Sequence, residues 1–140
     1  MAAGKQSSSA LTISYDDGSG TPRVMTGFVL SIAGLKLTSG MQVSTAFADT
    51  IAKKLPTGLT TVADWTMSGL FDDTATTGPH TMFKVPDTNP QGSTRTLTVG
   101  VGNSNVWNSE GFLIDYEVNP KAGGLTEYKA IGCQNTGAWS

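Results

Sequence analysis

The sequence predicts an all-β protein, an antiparallel β-sandwich or barrel with at most one short helix and a long loop. Three observations carry that expectation. Apolar and polar residues alternate in several separate runs, the period-two pattern of half-buried strands. Thr is the commonest residue at 20 copies, beside 17 Gly and 13 Ser, and Thr favours strands. Clusters of Asp, Asn, Pro and Gly punctuate the runs, as turns require. Six or seven strands are expected, and there is no internal repeat.

Leu11, Ile13 and Tyr15 alternate with Thr12 and Ser14, giving a first strand that Asp16–Asp17–Gly18–Ser19–Gly20 closes. Arg23–Leu37 is the longest strand-like region. Its apolar residues fall on both faces, which predicts a central strand or one buried against a partner, with Gly27 and Gly34 marking bulges or bends. Thr38–Ser39–Gly40 reads as a turn, Met41–Thr45 as a short strand, and Ala46–Leu55 as either a helical turn or a loop. Leu55–Pro56–Thr57–Gly58 reads as a turn that ends this polar excursion.

The clearest strand follows, with Trp65, Met67, Gly69 and Phe71 alternating against Thr66, Ser68 and Leu70. A helical turn is expected at His80–Lys84 and a loop over Pro86–Gly92. In Arg95–Val101, Leu97, Val99 and Val101 point inward. Phe112, Ile114, Tyr116 and Val118 form the apolar side of the next strand, against Leu113, Asp115 and Glu117. Asn119–Gly124 is a hairpin-type connection, Leu125–Cys133 the last strand, and 134–140 a C-terminal tail.

At 140 residues the chain is expected to form one domain over 11–133, with an extended loop at 38–55 and an N-terminal arm at 1–10. A chain of this length buries roughly 68–70% of its unfolded surface, enough for a core without metals or disulfides. Charged residues make up 14%, against about 25% in a typical soluble domain. Either the faces are covered by neighbours, since charge is depleted at interface cores, or this is an uncharged Thr-rich β-domain. The net charge is −2 and the only basic pair is Lys53–Lys54, so the positive footprint of sequence-specific nucleic-acid binding is missing. MAAGKQSSSA has no apolar h-region, and the longest apolar-rich stretch, Met25–Leu37, is too short to span a bilayer.

Catalytic chemistry finds little material. His80 is the only histidine and Cys133 the only cysteine; one sits beside a turn and the other reads as a small buried hydrophobe. Asp16–Asp17 and Asp72–Asp73 lack the ligand ladder of a calcium loop and suit turns. Asp115 and Glu117 share the solvated side of a strand, with Glu110 nearby. The run beginning at Gly100 lacks the third Gly of a dinucleotide fingerprint. Trp65 fits a core, whereas Trp107 and Trp139, with Asn103, Asn105 and Asn108, leave a carbohydrate-binding or adhesive surface open. The sequence therefore points away from an enzyme, and assigns no catalytic, cofactor or metal residue.

One order of segments is distinctive. A strand containing Ile32–Ala33–Gly34–Leu35 leads to Phe47–Ala48–Asp49, then Leu55–Pro56–Thr57–Gly58–Leu59, then Trp65–Thr66–Met67–Ser68–Gly69–Leu70–Phe71–Asp72–Asp73. Over roughly 25–137 this resembles the tail tube (major tail) proteins of long-tailed bacteriophages. The resemblance implies a self-assembling virion protein of the viral tail. Six copies would form a ring, a homohexamer, and stacked rings a hollow conduit for DNA delivery. The tape measure protein and other tail proteins would be partners. Double-stranded DNA would pass through the lumen unread, and the subunit would assemble in the host cytoplasm. The 38–55 excursion would be the stacking element, offering Met41, Val43, Phe47, Asp49, Ile51, Lys53, Lys54 and Leu55 to the next ring. A tail terminator is the nearest alternative role.

Overall fold

The computed structural model describes residues 10–46, 50–102 and 104–140. The N-terminal arm expected over 1–10 lies almost wholly outside them. Nine strands and one short helix are present among these residues: β1 (Thr12–Asp16), β2 (Pro22–Val24), β3 (Ser31–Ala33), β4 (Leu37–Val43), β5 (Lys54–Val62), β6 (Trp65–Leu70), α1 (Pro79–Phe83), β7 (Arg95–Gly102), β8 (Asn105–Asn119) and β9 (Glu127–Trp139). Seven strands form one antiparallel sheet in the order β2-β1-β7-β8-β9-β6-β3, curled into a half-barrel. Among the described residues β4 and β5 pair only with each other.

The register explains the core. Ile13 stands beside Val99, which stands beside Trp107; Tyr15 stands beside Leu97. Trp65, Met67 and Gly69 meet Gly132, Ala130 and Tyr128 on β9. Side chains directly opposite one another share a face, so these rows line the concave side and are buried. Large and small residues interlock there. A Cβ added at Gly132 would lie 2.4 Å from the Trp65 ring, and one at Gly137 would lie 2.5 Å from Trp107. The two β9 glycines thus make room for the two largest core side chains.

Helix α1 closes the concave side. Pro79 starts it, where a missing N–H costs nothing, and Met82 and Phe83 are buried. The Phe83 ring sits 5.8 Å from Tyr15, 6.4 Å from Trp65, 5.9 Å from Tyr116 and 6.0 Å from Tyr128, measured between centroids. One five-residue helix therefore supplies the hub of the aromatic core.

Several local expectations are corrected. Arg23–Leu37 is not one central strand: it divides into β2, a 3-10 turn at Thr26–Phe28, and β3, and both strands are sheet edges. Its apolar residues divide between Met25, fully buried in the core with Phe28, Val29, Ile32 and Leu35 packed against it, and the exposed Val24, Leu30 and Leu37. Thr38–Ser39–Gly40 is not a turn but part of β4, and Leu55–Gly58 lies inside β5. In β8 the inward set is Trp107, Ser109, Gly111 and Leu113, then Tyr116 and Val118. The pairing skips one residue between Leu113 and Asp115, so Ile114 is an inserted bulge residue, 48% exposed, and the alternation changes phase there. That is why the expected inward placement of Phe112 and Ile114 fails while Tyr116 and Val118 hold. Residues 134–139, expected as a tail, continue β9 against β8.

Candidate assembly surface

β4 and β5 make an arm that leaves the body between β3 and β6. Leu37 pairs with Val62, Thr38 with Thr61 and Ser39 with Thr60; further out, Met41 pairs with Pro56, Gln42 with Leu55 and Val43 with Lys54. Between these sets β5 advances by four residues while β4 advances by two. The Pro-Thr-Gly signal at 56–58 is thus spent on a bulge within a strand, with Gly58 at φ +86. Every residue of both strands is exposed except Gly40 and Val62, which are partly buried.

Gln134 ties both strands of the arm's root to the sheet, where Leu35 and Val62 also pack against the core. Gln134 is 6% exposed. Its Nε2 donates to the Gly34 carbonyl at 2.8 Å, just before β4, and to the Ala63 carbonyl at 2.7 Å, just after β5. Its Oε1 accepts the Trp107 indole N–H at 2.8 Å. Gly34 has φ +96, and a Cβ there would meet the Asp64 carbonyl oxygen at 2.2 Å. Only glycine lets the two root segments approach so closely. Sequence reasoning placed Gln134 in a tail and missed it; the signal that identifies it is the inward phase of β9.

The residues expected to grip a neighbour are placed unevenly. Met41, Val43 and Lys54 share one face of the arm, and Leu55 lies on the other with Gln42. The Lys53 carbonyl accepts the Ser44 N–H at 2.9 Å, and its N–H donates to Thr45 Oγ1 at 2.9 Å, extending the pairing toward the tip. Ile51 is 76% exposed near the tip. Phe47 and Asp49 lie outside the described residues. Met41, Val43, Leu55 and Leu59 are 52–72% exposed, so the arm carries apolar side chains on both faces. A two-stranded hairpin is marginal in water by itself, and clustered exposed apolar groups mark interaction surfaces.

The groups weighed for catalysis serve the fold. His80 Nδ1 lies 3.2 Å from the Tyr116 hydroxyl, and its ring packs on Phe71. Cys133 sits on β9 out of phase with buried Gly132 and Gln134. Asp17 Oδ1 accepts the N–H groups of Ser19 and Thr21. Its slight burial works against ionisation, but those bonds and Arg23 hold its carboxyl below the usual range. Asp72 accepts both the hydroxyl and the N–H of Thr74, which lowers its pKa. Among the described residues, no cluster of three or more His, Cys, Asp or Glu is arranged to hold a metal ion. Trp107 is fully buried, so it forms no sugar platform with Trp139.

No protein-family model and no curated protein matches the sequence. The fold, however, is that of chains in tail and injection-system assemblies. A chain of the PVC sheath-tube complex, from an extracellular contractile injection system in its extended state, superposes with a TM-score of 0.72 at 11% identity. The match covers 97% of this chain and 91% of that one. A chain of the tail of an empty GTA particle, solved with C6 symmetry, gives 0.70 at 15% identity over 97% and 98%. A chain of the PVC sheath/tube terminator gives 0.72 at 11% identity over 100% and 99%. At such identities the likeness is one of fold, and it spans the whole chain, arm included.

Proposed function

We propose that this protein is a structural, non-enzymatic subunit of a tail-like tube, which assembles with copies of itself into rings that stack into a hollow conduit. The observation that carries the reading is the arm: a solvent-exposed apolar hairpin, locked at its root, on a fold shared end to end with chains of tube-bearing assemblies. A monomer gains nothing from that exposure, whereas a stacked copy covers it. The sixfold symmetry of the GTA tail supports a hexameric ring. Both sheet edges, β2 and β3, are three residues long and have no outer pairing strand among the described residues, and ring closure would pair or cover them. Low charge and a net charge of −2 suit a lumen through which DNA slides without being held by phosphate contacts. The tape measure protein and other tail proteins would be the remaining partners, with assembly in the host cytoplasm and residence in the virion tail.

A tube-terminating role is the second reading, favoured by the full-length match to a chain of the terminator complex. Electron microscopy of the purified protein separates the two. A tube subunit gives stacked tubes of varying length, whereas a terminator stops at single rings. A monodisperse monomer that binds glycans contradicts both.

A further inference from the structure

The arm has a counterpart on the opposite end of the same strands. A groove of about 280 Å³ opens among Phe28, Val29, Leu30, Leu70, Phe71 and Leu125. Leu30 and Leu125 are 70% and 69% exposed on its walls. It lies where the chain enters β3 and leaves β6, bounded by the Leu30 N–H bond to Ser68 O and the Phe71 N–H bond to Thr126 O. The arm joins the body where the chain leaves β3 and enters β6. Arm root and groove are thus separated by the length of β6, six residues or about 20 Å. An apolar projection at one end and an apolar recess at the other is the polarity of a heterologous, propagating contact.

Charge matches as well. Asp72 lines the groove and Asp73 follows it, exposed. The arm carries Lys54 on the face that holds Met41 and Val43, with Lys53 preceding it. We infer that this groove receives the β4–β5 arm of a second copy of this chain, with Met41 and Val43 against Leu30, Leu70 and Leu125, and Lys54, on the same face of the arm, toward the Asp72–Asp73 rim. The inference rests on the tube reading and names the receiving surface that it requires. Each copy donates one arm and accepts one, so the contact repeats along a stack without closing on a pair.

Two variants test this. Leu30→Glu/Leu125→Glu changes side chains that are already exposed, so near-UV circular dichroism stays native while the mass pelleted as tubes falls at least tenfold. Val43→Cys/Leu125→Cys in a Cys133→Ser background still assembles, and mild oxidation converts its tubes to a ladder of covalent multimers. Undiminished tubes from the Glu variant, or tubes of the Cys variant that give no ladder, overturn the groove assignment and leave the tube reading standing. Failure of the unmodified protein to assemble at all overturns both.

Discussion

The Trp107 indole N–H donates to Gln134 Oε1 at 2.8 Å, and the same glutamine holds both roots of the arm through Nε2. The deepest indole of the core and the most exposed element of the chain are therefore tied through one amide. Gln134→Leu strands the indole N–H and two carbonyls. Buried groups left unpaired cost about 1–3 kcal/mol each, and water reaches the carbonyls once the root loosens. A loss of roughly 2–4 kcal/mol is expected by urea unfolding. Faster amide exchange confined to 37–62 in the native state distinguishes loss of the root from general destabilisation; uniform protection there contradicts the assignment.

Gly132 and Gly27 form a matched pair of tests. Gly132→Ala drives a Cβ into the Trp65 ring at 2.4 Å, with the ring locked in the core, whereas a Cβ at Gly27 meets nothing within 4 Å. Overpacking of this kind costs at least about 1–3 kcal/mol. Thermal melts are expected to show a large drop for Gly132→Ala and little change for Gly27→Ala.

The loop before β7 is pinned by a largely buried ion pair. Arg95 Nη2 lies 2.9 Å from Asp87 Oδ1, and Arg95 Nη1 donates to the Met82 carbonyl at 3.2 Å. Asp87 Oδ2 also accepts the Leu113 N–H at 2.8 Å. Asp87→Ala leaves a 5% exposed arginine without its counter-charge, a change that costs about 3–5 kcal/mol. Denaturant midpoints of the variant and the parent protein measure it.

Two core tyrosines make stability sensitive to alkali. Burial pushes the hydroxyl pKa values of Tyr15 and Tyr128 well above the ordinary value of 10.0, and the Tyr15 hydroxyl has no hydrogen-bond partner among the described residues. Because the folded state holds these protons more tightly, their contribution is full below pH 10 and declines as pH rises above it. Absorbance at 295 nm is expected to show their ionisation together with unfolding. Smooth titration near pH 10 in a native protein contradicts their burial.

The fold class was legible because alternation is local. Trp65–Leu70 and Arg95–Gly102 announce themselves through consecutive side chains, and the helical turn expected at His80–Lys84 is α1, which begins one residue earlier at Pro79. The arm and its clasp were less legible for a physical reason. Pro56 and Gly58 carry the chemistry of a turn, and only the pairing with β4 reveals that they form a bulge. β8 changes phase at Ile114 because of a bulge whose cause lies in its register with β9. Gln134 takes its meaning from Gly34 and Ala63, 100 and 71 residues away. Met41, Val43 and Leu55 lie on the strands of the arm, whereas Leu30 and Leu125, isolated in sequence, line one groove only in the folded sheet.

The central claim is that the arm joins copies of this chain into a tube. Its most direct test is negative-stain microscopy of the full protein beside a variant lacking residues 41–54, at equal concentration, with circular dichroism as the fold control. Hollow tubes are expected from the full protein, and a folded variant that forms none. Long tubes from the deletion variant would contradict it.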